Sequence, residues 1–134
     1  MTCDGGFTLP ELTSIKCPFC HPEEVVLENE LAWVRYDKFP VNPGHTLIIT
    51  RRHVTDFFAS TREERHAINN LLEEAKRLLD DKFKPDGYNV GVNCGLSAGQ
   101  TIMHLHLHLI PRYKGDMENP RGGVRGVIPE KQKY

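Results

Sequence analysis

Two rhythms of hydrophobic and polar residues run along this chain, and together they set out most of its elements. His104-Leu105-His106-Leu107-His108-Leu109-Ile110 alternates strictly, which is the period of two of a strand. The run Thr101 to Ile110 therefore predicts a strand, with Pro111 closing it. Upstream, Ile68, Leu71, Leu72, Ala75, Leu78, Leu79 and Phe83 recur at helical spacing. Ser60-Thr61-Arg62-Glu63 supplies a capping box before this stripe, and Pro85 with Gly87 ends it. Val25 to Glu28 and Leu31 to Tyr36 are short strand-like runs around Asn29, a hairpin. His45 to Thr50 reads as a buried strand and Tyr88 to Val92 as another. Phe39 to Gly44, with two prolines, and the small-residue stretch Leu96 to Gln100 read as loops. A hairpin, a strand, a helix and two more strands predict an α+β fold, a mostly antiparallel sheet with one long amphipathic helix on one face. Residues 1–16 read as a loose N-terminal arm and 112–134 as a C-terminal tail, all within a single domain spanning 1–134.

Composition narrows the function classes. With 134 residues, 39% hydrophobic and 26% charged, the chain has a globular balance and can bury a core without disulfides. A formal net charge of -1 argues against nucleic acid or a membrane surface as partner. It leaves room for a phosphorylated small molecule. No stretch approaches the ~20 apolar residues that span a bilayer. Met1 to Pro10 lacks the basic start and apolar run of a secretory signal, so a cytoplasmic location is expected.

The histidine strand carries the chemistry. Leucines on one face can pack on the helix, and the imidazoles on the other stand about 6.6–6.8 Å apart at each step of two. Packing alone does not require three titratable rings in one row. They suit a metal site, imidazole being a common zinc ligand, or nucleophilic catalysis. Neutral imidazole attacks phosphorus and leaves a phosphoramidate that water can open, while a neighbouring ring handles protons. Cys17-Pro18-Phe19-Cys20 has the spacing of half a zinc site. With His21 it also matches the haem-attachment pattern, which the absence of an export signal disfavours.

His104-Leu105-His106-Leu107-His108-Leu109-Ile110 resembles the signature of the histidine-triad family. Asp37, Pro43-Gly44-His45-Thr46-Leu47-Ile48-Ile49, Asn93 and Ala98-Gly99-Gln100-Thr101 stand at that family's spacing before it. The resemblance runs from about Cys17 to Tyr113. It implies a HIT-like fold, a homodimer and a nucleotide substrate, with His106 as the nucleophile on the α-phosphorus and His108 beside the leaving group. His45 then supports the nucleophile. Asn93, Gln100 and Thr101 hold the α-phosphate and leaving group, and Asp37 holds the ribose hydroxyls. Histidine rather than glutamine at position 108 points to hydrolysis rather than nucleotidyl transfer. In the zinc-binding branch the matching ligands are Cys17, Cys20, His53 and His104, giving structural zinc. This chain lacks the longer segment that lines the base pocket in many small members, leaving Phe19 and Tyr36 as candidates to face the base. Lys114, Arg121 and Arg125 could reach a polyphosphate. The implied activity is hydrolysis of dinucleoside polyphosphates such as diadenosine tetraphosphate. The alternatives are a nucleoside phosphoramidase acting on adenylated amines and a non-catalytic purine-nucleotide sensor.

Overall fold

In a computed structural model, residues 17–134 are described; the arm expected over 1–16 lies outside them. Five strands form one antiparallel sheet: β1 (Leu27–Glu28), β2 (Ala32–Tyr36), β3 (Thr46–Thr50), β4 (Gly87–Gly91) and β5 (His106–Arg112). Their order across the sheet is β1-β2-β3-β5-β4. Helix α1 (Arg62–Phe83) connects β3 to β4 and lies across one face. Its buried residues Ala67, Ile68, Leu71, Ala75 and Leu79 meet Ala32, Val34, Ile48, Leu107 and Leu109. Leu71 and Leu79, 1% and 0% exposed, each contribute roughly 1.5–3 kcal/mol by leaving water. Phe19, Trp33, Leu47 and Ile49 form a smaller apolar cluster.

The expected α+β architecture is present; the other strands lie within two residues of their expected bounds, and the helix start and the final strand shift for identifiable reasons. The helix is capped one residue later than the sequence suggests. Thr61 is the N-cap, its hydroxyl accepting from the Glu64 N–H, while Glu64 reaches back to the Thr61 N–H. Glu64 wins over Glu63 because its buried carboxylate also takes a two-point bond from Arg52, at 2.8 and 2.9 Å. That ion pair ties the segment leaving β3 to the helix start.

The final strand also starts and ends later than Thr101 and Pro111. Its ladder begins at His106, where β3 becomes available as a partner (Ile49 opposite His106). It runs through Pro111 to Arg112 against β4. Pro111 costs the sheet little, because β3 is paired only as far as Thr46 opposite Leu109. Gly44 packs beside it at φ +87°, where an added Cβ would lie 3.1 Å from both Phe83 and Pro111. The Pro-Gly-His turn therefore needs its glycine. The tail beyond Arg112 contains two short 3-10 turns, Gly123–Val127 and Pro129–Lys131. Among the described residues no helix is long and apolar enough to cross a membrane.

Candidate active site and metal centre

Strand register sets the histidine face. Trp33, Ile49 and His106 stand side by side across β2, β3 and β5, and the next row holds Arg35, Leu47 and His108. His106 and His108 thus share a face opposite the helix, with ring centroids 5.2 Å apart. His104 precedes the ladder and is fully buried, so two of the three histidines, not all three, lie in the strand.

Backbone groups fix the tautomer of each ring. His106 Nδ1 lies 2.7 Å from the His104 carbonyl, which can only accept. Nδ1 therefore carries the proton, and the Nε2 lone pair is free to attack. At the other end of the row, the Val41 N–H donates to His45 Nδ1 at 3.0 Å. The His45 proton must then sit on Nε2, which lies 2.9 Å from His108 Nδ1 and 3.4 Å from Asp37 Oδ2. His108 accepts through Nδ1 and so presents Nε2–H outward. The row offers a nucleophilic nitrogen at His106 and a hydrogen-bond donor at His108.

The loop holding Val41 is tightly tethered. The Asp37 N–H donates to the His45 carbonyl, and the Phe39 N–H donates to Asp37 Oδ1. Asn42 Nδ2 donates to the Pro111 carbonyl and to Asp116, and Tyr113 Oη donates to the Pro43 carbonyl.

Burial disfavours charging His45 and His108. It pushes the His108 pKa down to about 4, with His106 and His45 adding to the effect and Asp37 opposing it. It lowers His45 as well, again against Asp37. Burial likewise takes His104 down to about 4. Such groups bind protons more weakly folded than unfolded, where a histidine titrates near 6.5. The stability they confer is complete above about pH 6.5 and is lost as pH falls toward 4. His104, with no exposed surface, contributes on the order of 3 kcal/mol in metal-free protein. The urea midpoint of metal-free protein is expected to fall markedly between pH 7 and pH 4.5; an equal midpoint at both would contradict these shifts.

A second cluster lies where the turn at Cys17–Cys20 meets the residues leading into the histidine strand. Ligand atoms of Cys17, Cys20, His53 and His104 all fall within 4.8 Å of one another. The sulfur-to-Nδ1 separations are 3.2 Å (Cys17 to His104), 3.2 Å (Cys20 to His53) and 3.6 Å (Cys20 to His104). A zinc tetrahedron with Zn–S near 2.3 Å and Zn–N near 2.0–2.1 Å has S···N edges of about 3.6 Å. His104 Nε2 donates to the Thr50 carbonyl at 2.7 Å, leaving Nδ1 unprotonated toward the cluster, the arrangement a ligating imidazole needs. Cys20 is disulfide-bonded in this structure; with that bond reduced to the thiolate, the four side chains fit a metal. Asp37, His45 and His108 also converge within 4.8 Å, yet they fail the same test. With His45 Nδ1 occupied by the Val41 N–H, Nε2 holds a proton and has no lone pair for an ion.

Other expected site residues fall in different places. His45 bonds His108 rather than His106. Gln100 is buried and committed to loop backbone: its carbonyl accepts from Gly95, and its amide donates to the Thr55 and Ile102 carbonyls. Asn93 is half-buried two residues beyond Gly91, the partner of His108, and Thr101 is exposed. Tyr36 is on the helix side, 6.1 Å from Phe83. The side chain on the histidine face is its neighbour Arg35, buried and bonded to Glu24 and the Tyr36 carbonyl. Counting back two from Asp37 would have found it. Arg121 and Arg125 both lie against the Tyr134 ring, at 5.1 and 4.8 Å, so they pack within the tail. Lys114 is exposed.

A helix-backed antiparallel sheet with a histidine row on its open face defines a histidine-triad domain. The HIT domain family model matches residues 20–115, and the chain belongs to that family. An uncharacterized HIT-like protein of Mycoplasma genitalium is 36% identical over 108 residues, covering 76% of this chain and 77% of that protein. An AP-4-A phosphorylase of Mycobacterium tuberculosis is 34% identical over 93 residues, 69% of this chain and 48% of the relative. Among solved structures, a Zn-bound histidine triad family protein from Mycobacterium smegmatis superposes with TM-score 0.71 at 30% identity. That match covers 79% of this chain and 81% of the other.

Proposed function

We propose that this protein hydrolyses dinucleoside polyphosphates at the α-phosphate through a nucleotidyl-histidine intermediate on His106. One observation carries the reading: backbone groups fix His106 as an Nε2 nucleophile and His108 as an Nε2–H donor. His106 Nε2 attacks the α-phosphorus, the bond to the leaving phosphate breaks, and the electron pair leaves on its oxygen. His108 Nε2–H stabilises that oxygen by a hydrogen bond. Water then opens the phosphoramidate bond, giving a nucleoside monophosphate and a free imidazole. Asp37 is assigned to the ribose hydroxyls, with Asn93 and Thr101 at the phosphates. Gln100 shapes the loop between them.

The fixed tautomers also favour one leaving group. Full protonation of His108 would place two N–H groups face to face with His45, whose own proton is held on Nε2 by Val41. A nucleoside polyphosphate leaves as a stable anion and needs only a hydrogen bond. An amine must receive a proton, so the phosphoramidase alternative is disfavoured. The similarity to an AP-4-A phosphorylase points the same way.

We assign structural zinc to Cys17, Cys20, His53 and His104, where a closed four-ligand site would hold the N-terminal turn against the catalytic strand. A reducing cytoplasm suits cysteines that must serve as thiolates. A homodimer is supported by β4, an outer strand of the described sheet, with Val90 and nearby Leu96 exposed at 43% and 78%.

The test is steady-state turnover of diadenosine tetraphosphate and of an adenosine phosphoramidate at pH 7. The expected result is a kcat/KM at least about tenfold higher for the tetraphosphate, a difference of about 1.4 kcal/mol. A faster phosphoramidate would establish the alternative. Tight AMP binding with no turnover of either substrate would establish the sensor.

A further inference from the structure

The Cys17–Cys20 turn has a use beyond supplying two sulfurs. The turn is closed by the Cys20 N–H on the Cys17 carbonyl, and it directs Phe19, between the cysteines, into the apolar cluster with Trp33, Leu47 and Ile49. Phe19 is only 7% exposed. Its ring centroid lies 4.8 Å from that of His106, tilted by 58°, and 6.1 Å from His104, edge-on at 87°. His106 is therefore held at two points. Phe19 supports its ring, and the His104 carbonyl holds its Nδ1 proton. Both supports belong to the four-residue cluster, one between two of its members and the other on a third.

Resting on the nucleotidyl-histidine reading above, we infer that Phe19 is a positioning residue for His106, holding the nucleophile's ring in its attacking orientation from within the metal-binding turn. The ring of His106 is half-exposed and bonds backbone through Nδ1 alone. Rotation about its side-chain torsions would carry Nε2 off line, and a misplacement of about 1 Å can cost about 100-fold in rate. The tilted Phe19 ring packed against it opposes that rotation. Metal binding would anchor both cysteines of the turn that carries Phe19, so metal loading and nucleophile alignment are coupled. The same arrangement explains why Phe19 is buried between two polar ligands instead of facing solvent.

The experiment uses metal-loaded full-length protein, Phe19→Ala and Phe19→Leu, with four readouts. These are metal content, AMP affinity by calorimetry, the single-turnover rate of AMP adduct formation from diadenosine tetraphosphate, and the nitrogen-15 spectrum of the imidazole N–H groups. Both variants are expected to keep their metal and to bind AMP within about threefold of the parent. Adduct formation falls about 30- to 100-fold in Phe19→Ala and less in Phe19→Leu, which refills the space. The exchange-protected His106 Nδ1–H signal of the parent is lost in Phe19→Ala. Metal-free parent loses the same signal, and combining the two changes adds nothing, as expected of one coupled device. An unchanged adduct rate would overturn the inference. So would a rate loss matched by an equal loss of AMP affinity, which would make Phe19 a surface for the base. If Phe19→Ala sheds its metal, Phe19→Leu decides alone, and a parental rate there overturns the inference. Should the parent form no adduct at all, the functional reading fails, and the imidazole N–H signal still judges Phe19.

Discussion

Replacing His106 with alanine is expected to lower turnover of diadenosine tetraphosphate by about 10⁴-fold or more, while AMP affinity stays within about threefold. Losses of that size are typical when a covalent nucleophile is removed from an otherwise intact site. The two other rings of the cluster cannot take over. His108 has Nδ1 committed to His45 and a proton on Nε2, and His45 has Nδ1 committed to Val41. Neither offers a lone pair toward substrate. His106 is half-exposed and outside the main core, so its truncation leaves the fold intact and the loss falls on kcat. A variant that retains more than about one hundredth of parental kcat would point to direct attack by water.

Removing the metal is expected to produce the largest change in stability. A site filled at about a thousand times its dissociation constant adds roughly 4 kcal/mol, which for a chain of this length corresponds to about 10–15 °C in Tm. Burial raises the Cys17 thiol pKa, only partly offset by the Phe19 and Cys20 backbone N–H groups. The metal-free site therefore holds a neutral thiol, and loading releases its proton. Zinc-loaded parent protein heated with and without a tight chelator should show the full shift. Cys17→Ser, which binds no metal, should melt at the lower temperature in both conditions. Equal Tm values for protein verified as loaded and stripped would remove the structural role from this cluster.

The histidine row and the helix stripe were legible in the sequence because each repeats one spacing over many residues. What failed were features set by partners distant in the chain. The strand begins at His106, not Thr101, because β3 opposes it only from Ile49 onward. The helix cap moved from Ser60 to Thr61 because Arg52 claims the Glu64 carboxylate, a choice no local pattern encodes. Tyr36, one of two candidates to face the base, lies on the helix side; Ala32 to Arg35 is buried throughout and shows no alternation to reveal this. Register, not composition, puts Arg35 on the histidine face. The partner of His45 was likewise hidden: spacing brings it near the triad, but the Val41 N–H directs it to His108. The four metal-ligating candidates were read from a resemblance, and the structure brings all four together.

The central claim is a covalent bond between His106 and a nucleoside monophosphate. Its most direct test is intact-protein mass spectrometry of a millisecond-quenched reaction with diadenosine tetraphosphate, followed by peptide mapping under conditions that preserve phosphoramidates. The account predicts one AMP added per chain, appearing and decaying with turnover, located on His106 and absent from His106→Ala. Turnover with no adduct at any quench time, or an adduct on another residue, would contradict it.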